Sequence, residues 1–221
     1  ARGHRSRLAR EGRENGYPRH RRSALAGSGT NSSYEDLERA AGVARQACEN
    51  GARARAKLWV TPGSEQIHRT IQRDGQMADF EAIDAVVLAN ACGPCIGQWK
   101  RDRKEGPNTI INSFNRNFAR RNDGNPETNA FVTSHDIVTA MALAGDLQFN
   151  PITDTITNDA GEEIKLSPPV GIEFPPDGFE SGFDLYDEPP ENGADIEVII
   201  PHDNERLAKL TPFNAWDGAD L

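Results

Sequence analysis

The 221-residue chain is long enough for one domain, or for one domain with an appendage. Its 36% hydrophobic content and mean hydropathy of −0.67 fit a soluble protein with a modest core, and no apolar run approaches the length that spans a bilayer. Three cysteines exclude a disulfide framework and point to a reducing compartment.

The net charge of −9 is unevenly placed. Residues 1–22 hold eight arginines against two glutamates, whereas residues 146–221 hold eighteen acidic residues against three basic ones. A basic end of this kind reads as a nucleic-acid arm or a targeting peptide, or more simply as a solvated helix leading into a strand.

In chain order, residues 1–14 read as a short Arg-rich helix ended by Asn15-Gly16. The basic run Arg19–Arg22 carries no apolar strand pattern, and Ser23–Ala26 leads to the small-residue turn Gly27-Ser28-Gly29-Thr30-Asn31. Backbone approaches a ligand closely at such a turn. Ser32 or Ser33 caps a helix with Glu35 and Asp36 in its first turn. Leu37, Ala40, Ala41, Ala44 and Cys48 make its apolar stripe, and Asn50-Gly51 ends it.

Lys57–Val60 reads as a strand broken by Thr61-Pro62-Gly63, and Ser64 caps a helix over Glu65–Arg73 that Gly75 stops. Residues 77–83 form a third helix, and Ala85–Ala89 a buried strand. Asn108–Phe114 and Ala130–Ser134 are further strands, succeeded by a helix over Asp136–Ala144 that Gly145 stops. This alternation predicts an α/β domain, a three-layer arrangement with a mainly parallel sheet and crossover helices. Ligands collect outside the carboxyl ends of such strands, where Gly29, Pro62 and Cys92 all fall. Beyond Gly145, paired prolines punctuate an acidic stretch that should run as extended ribbon, with Ile196–Ile200 as one more strand. The expected division is a domain over 1–145, its Pro-rich extension over 146–210 and a linker start over 211–221.

Leu88–Trp99 reads L-A-N-A-C-G-P-C-I-G-Q-W. Gly93 and Pro94 force a tight turn, so the thiols of Cys92 and Cys95 face one point, as a metal or cluster needs. A bare C-x-x-C serves zinc, iron–sulfur and thiol-redox sites alike. The flanks are more specific. Together with S-G-T-N-S-S-Y-E at Ser28–Glu35, T-P-G-S-E-Q-I at Thr61–Ile67, N-R-N-F-A-R-R-N-D at Asn115–Asp123, N-P-E-T-N-A-F-V-T-S at Asn125–Ser134 and W-D-G at Trp216–Gly218, the loop resembles the aconitase family. The likeness is to the third domain of mitochondrial-type aconitases and the start of the linker after it.

That resemblance implies a [4Fe–4S] cluster with Cys92 and Cys95 as thiolate ligands. It also implies a first cysteine in a G-S-C-T-N-S-S turn, where this chain has Gly29, which cannot ligate. Asn115, Arg116 and Arg121 occupy positions that line the family's tricarboxylate site, and arginine's planar fork suits carboxylates. Arg120 stands where the family prefers glycine, and a positive φ there would strain it. The family's catalytic base is a serine of its fourth domain, and the proton-donating His and Asp belong to the first two domains. Ser28 and Ser32 support the turn and replace none of these.

Cys48 reads as a small buried residue, too far along its helix to substitute for residue 29. His68 and His135 read as solvent-facing, while His4, His20 and His202 have no nameable partners. The implied function is a hydro-lyase's cluster-binding domain, in mitochondria, inactive without the remaining aconitase domains. The alternative is a non-catalytic scaffold or assembly subunit that docks to RNA or protein through its basic arm.

Overall fold

The computed structural model describes residues 10, 14–18, 23–91, 93–101, 106–208, 210 and 213–219. Most of the expected N-terminal helix, the Arg19–Arg22 run, His4, His20 and Cys92 lie outside them. The chain divides into two units, Ala1–Asp184 and Leu185–Leu221.

The first unit is an α/β domain built on a parallel five-stranded sheet. Its strands are β1 (Ser23–Ala26), β2 (Lys57–Val60), β3 (Val86–Val87), β4 (Asn108–Asn112) and β5 (Thr128–Val132), in the spatial order β3-β2-β1-β4-β5. The segment that leads into the Gly27–Asn31 turn is thus the central strand. Ser23–Ala26 carries little intrinsic strand preference, yet β2 and β4 pair with it on both sides and bury all four residues.

The described helices are α1 (Tyr34–Glu49), α2 (Glu65–Asp74), α3 (Gln76–Ala82) and α4 (His135–Ala144). Ser33 caps α1 in a reciprocal pair with Asp36, and Ser64 accepts from Ile67 N to cap α2. Gly75, at φ +93°, ends α2 and starts α3.

Strand alternation divides the sheet's two faces. Ala24, Ala26, Leu58, Val60, Ile111 and Phe131 pack with the helices in the main core. Leu25, Ile110, Trp59 and Ala130 point the other way, where Trp99, Phe114 and Cys95 cover them. Among the described residues this second face is covered by two loops, 93–101 and 113–127, rather than by helices. Both loops leave strands that step away from β3 towards β5, and right-handed crossover puts such connections opposite the helices.

Several expectations need correction. Of Ala85–Ala89 only Val86–Val87 forms a strand, and it is not buried, because β3 is an edge strand that pairs with β2 alone; Val86 is 37% exposed. β4 stops at Asn112, whose side chain turns the chain by accepting from Phe114 N at 3.0 Å. Cys48 is exposed, since the stripe of α1 continues through Ala44 to Ala47 and leaves residue 48 turned outward. His135 is buried at 5% exposure, because it opens α4 where that helix meets the start of α1. The acidic stretch contains an unforeseen hairpin, β6 (Ile156–Thr157) with β7 (Glu163–Ile164).

Within the second unit Ile196–Ile200 forms no strand. A single 3-10 turn, Gly193–Asp195, precedes it, and Ile196, Val198 and Ile199 are each more than half exposed with no strand partner. No described helix is long and apolar enough to cross a membrane.

Candidate functional site

Turns after β1, β2 and β4 meet at the carboxyl end of the sheet. Thr61 N donates to Ala26 O at 2.8 Å, and Gly27 N donates to Ser113 Oγ at 2.7 Å. Asn31 Nδ2 donates to Ser113 O, and Ser28 N to Ser32 Oγ at 2.8 Å. Both serines are therefore used inside the turn. Gly27 and Gly63 are required by space: a Cβ on Gly27 would lie 2.1 Å from Thr61 O, and one on Gly63 would lie 2.6 Å from Ser32 O. Gly29 differs. It is exposed, its φ is not positive, and a Cβ there would meet no heavy atom within 4 Å. Nothing in the backbone or packing demands glycine at that position.

The cysteine loop lies over the sheet's second face. Pro94–Ile96 forms one 3-10 turn and Gly97, at φ +88°, reverses the chain. Cys95 is half-buried against the cluster of Leu25, Trp99, Ile110 and Phe114. The Trp99 ring meets Trp59 edge-on at 6.5 Å.

The loop after β4 carries the predicted arginines. Asn115 and Arg116 are exposed. Arg121 is half-buried, its guanidinium carbon 5.3 Å from the Phe118 ring centroid and its Nε–H buried without an acceptor. Arg120 has φ +67°, the left-handed conformation expected to strain it.

The cysteine and arginine loops touch. Trp99 N donates to Asn122 O at 3.2 Å, and Asn122 Nδ2 donates to Pro94 O at 3.2 Å. A Cβ on Gly97 would lie 3.4 Å from Arg121 O. Below this contact sits a buried ionic network that sequence reasoning missed. Arg101 Nη2 donates to Asp123 Oδ2, to Asn108 Oδ1 at 2.8 Å and to Thr128 Oγ1 at 3.1 Å. Asp123 also accepts from Thr128 Oγ1 at 2.9 Å and from Asn125 N at 3.0 Å. Burial pushes the Asp123 carboxyl up. The Asn125 N–H, the Arg101 guanidinium and the Thr128 hydroxyl more than offset this and hold it below the usual carboxylate range. Arg101 was hidden in a charged run, K-R-D-R-K-E, that reads as solvated surface.

His135 is the other missed group. Its Nδ1 lies 3.7 Å from Asp36 Oδ1 and its Nε2 is buried without a partner. Burial holds its pKa below the ordinary value, against the pull of Asp36, the Asn31 backbone and Asp136. His68 is partly exposed, 3.3 Å from Glu65, and His202 is exposed in a turn.

Residues 4–145 match the model of the aconitase family, aconitate hydratase. The chain belongs to the aconitase family. It is 53% identical over 208 residues to a mitochondrial aconitate hydratase of Candida albicans, covering 93% of this chain and 27% of that protein. It is 52% identical over 218 residues to a probable mitochondrial aconitate hydratase of Dictyostelium discoideum, covering 98% of this chain and 28% of that protein. The mitochondrial aconitate hydratase of Saccharomyces cerevisiae is 50% identical over 208 residues, with 93% and 27% covered. The chain thus spans little more than a quarter of the length of these relatives.

Aconitases normally carry a [4Fe–4S] cluster and act on tricarboxylates. Gly29 has no side chain to donate, Cys48 is exposed at the far end of α1, and Cys92 lies outside the described residues.

Proposed function

We propose that this chain is the cluster-binding domain of an aconitase-type hydro-lyase, which interconverts citrate and isocitrate through cis-aconitate in mitochondria. Residues 1–145 are its α/β domain, 146–210 an extension and 211–221 the start of a linker to the remaining aconitase domains, which are its partners. Cys92 and Cys95 occupy ligand positions and Gly29 the third, so the cluster is incomplete and the chain by itself is inactive. Its own contribution is binding: Asn115, Arg116 and Arg121 take substrate carboxylates.

One observation carries this reading. The loop bearing Arg121 is hydrogen-bonded to the loop bearing Cys95, so an anion-binding guanidinium and a thiol belong to one packed block. The buried, acceptor-free Nε–H of Arg121 is an unsatisfied donor of the kind found at ligand sites. The test is a citrate titration of the full chain monitored by NMR of the arginine side chains. Citrate should shift the Arg121 Nε–H signal, and Arg121→Gln should abolish the titration of the neighbouring Phe118 signals. A wild-type spectrum indifferent to millimolar citrate would overturn the reading.

A further inference from the structure

Arg101 and Asp123 have side chains only 8% and 0% exposed, and they carry the most deeply buried ion pair between described residues. Stability alone is a poor reason for such a pair. Desolvating two charges costs about what their attraction returns, and an apolar pair of the same volume often does as well. What the pair does here is topological. Its partners come from four separate pieces of chain: the cysteine loop (Arg101), the start of β4 (Asn108), the arginine loop (Asp123) and the start of β5 (Thr128).

The cysteine loop needs such an anchor. Between Gly93 and Arg101 its only regular structure is one 3-10 turn, and two hydrogen bonds tie it to Asn122. The Arg101 guanidinium also lies 4.7 Å above the Trp99 ring, which packs in the same cluster as Cys95. Moving Arg101 therefore moves the floor beneath Cys95. On the other side, Asp123 is two residues from Arg121.

We propose that the Arg101–Asp123 pair is a positioning device that locks the cysteine loop, residues 93–101, onto the arginine loop, residues 113–127, and so fixes Cys95 relative to Arg121. That the two loops form a substrate site rests on the function proposed above; the lock between them does not.

The experiment measures iodoacetamide alkylation of Cys95 in the intact chain, resolved by peptide mass spectrometry. Exposed Cys48 serves as internal reference, and amide exchange of Leu58 and Val60 in β2 reports global opening. Arg101→Met should raise the Cys95 rate about tenfold relative to Cys48 with the β2 amides unchanged, the signature of local rather than global opening. Arg101→Lys, which keeps the charge but not the planar fork, should recover only part of the protection. If Arg101→Met does not fold, Asp123→Asn carries the same comparison. A Cys95 rate within about twofold of wild type, or a rise matched by exchange at Leu58 and Val60, overturns the proposal. A chain indifferent to citrate sinks the binding reading and leaves this result standing; an unaffected Cys95 does the reverse.

Discussion

Gly27 and Gly29 lie two residues apart in one turn, and the structure demands opposite responses to substitution. In Gly27→Ala the new methyl lands 2.1 Å from Thr61 O and 2.3 Å from Ser32 Oγ, on a backbone at φ +92°. The left-handed conformation alone costs about 1–2 kcal/mol for a residue with a Cβ. Relieving the overlap means parting the turn from Thr61, which endangers the bonds Gly27 N to Ser113 Oγ and Ser28 N to Ser32 Oγ at about 1 kcal/mol each. The total is about 3–4 kcal/mol, which for a domain of this size lowers the melting temperature by roughly 10 °C. In Gly29→Ala the methyl meets nothing within 4 Å and φ is not positive, so stability should change by less than about 1 kcal/mol. Urea and thermal unfolding monitored by far-ultraviolet circular dichroism compare the two. Equal losses, or a larger loss at residue 29, would refute the claim that glycine at 29 is free of structural demand.

Arg120→Gly relieves the left-handed backbone at φ +67° and should stabilise the chain by about 0.5–1 kcal/mol, read as a higher urea midpoint with an unchanged slope; a lower midpoint contradicts the strain. His135 predicts a pH dependence. Its folded pKa lies below its ordinary value of about 6.5, so below that pH the unfolded chain takes up a proton that the folded chain resists. Stability should fall as pH drops from about 6.5 until the lower folded pKa is passed, and His135→Gln should flatten that segment of the urea-midpoint profile. An unaltered profile in the variant would show that other groups cause the loss. Asp123 acts in stronger acid. Its depressed folded pKa gives stability that is present above about pH 4 and lost as pH falls further, so Asp123→Asn should remove part of the acid unfolding below that pH.

Much of the fold was legible because its signals are local. The serine caps at 33 and 64 and the glycine stops at 75 and 145 fix helix ends through hydrogen bonds made within a few residues. The short apolar strands between them leave a parallel sheet as the consistent arrangement. What escaped depends on contacts far apart in sequence. Ser23–Ala26 is a central strand only because β2 and β4 flank it, and an alanine-rich tetrapeptide does not announce that. Cys48 sits one residue past the point where the stripe of α1 can still face the core, an ambiguity that helical spacing cannot resolve between positions 47 and 48.

The site divides in the same way. The turn around Gly29, the cysteine loop and the arginine loop were each visible as strings of characteristic residues. Their mutual support was not. Arg101 and Asp123 look like surface charges 22 positions apart, and only the connections across the sheet's second face bring them together. His135 looks like an ordinary helix-opening residue, and its burial comes from the neighbouring start of α1.

The proposed function turns on a cluster site that lacks one of its sulfurs. Anaerobic reconstitution with iron and sulfide, then iron and acid-labile sulfide analysis and the charge-transfer absorbance, tests it directly in the wild-type chain beside Gly29→Cys. Little bound iron and weak absorbance are expected in the wild type, with a clear gain in both for Gly29→Cys. A full and stable four-iron cluster in the wild type, or no gain in the variant, would contradict it.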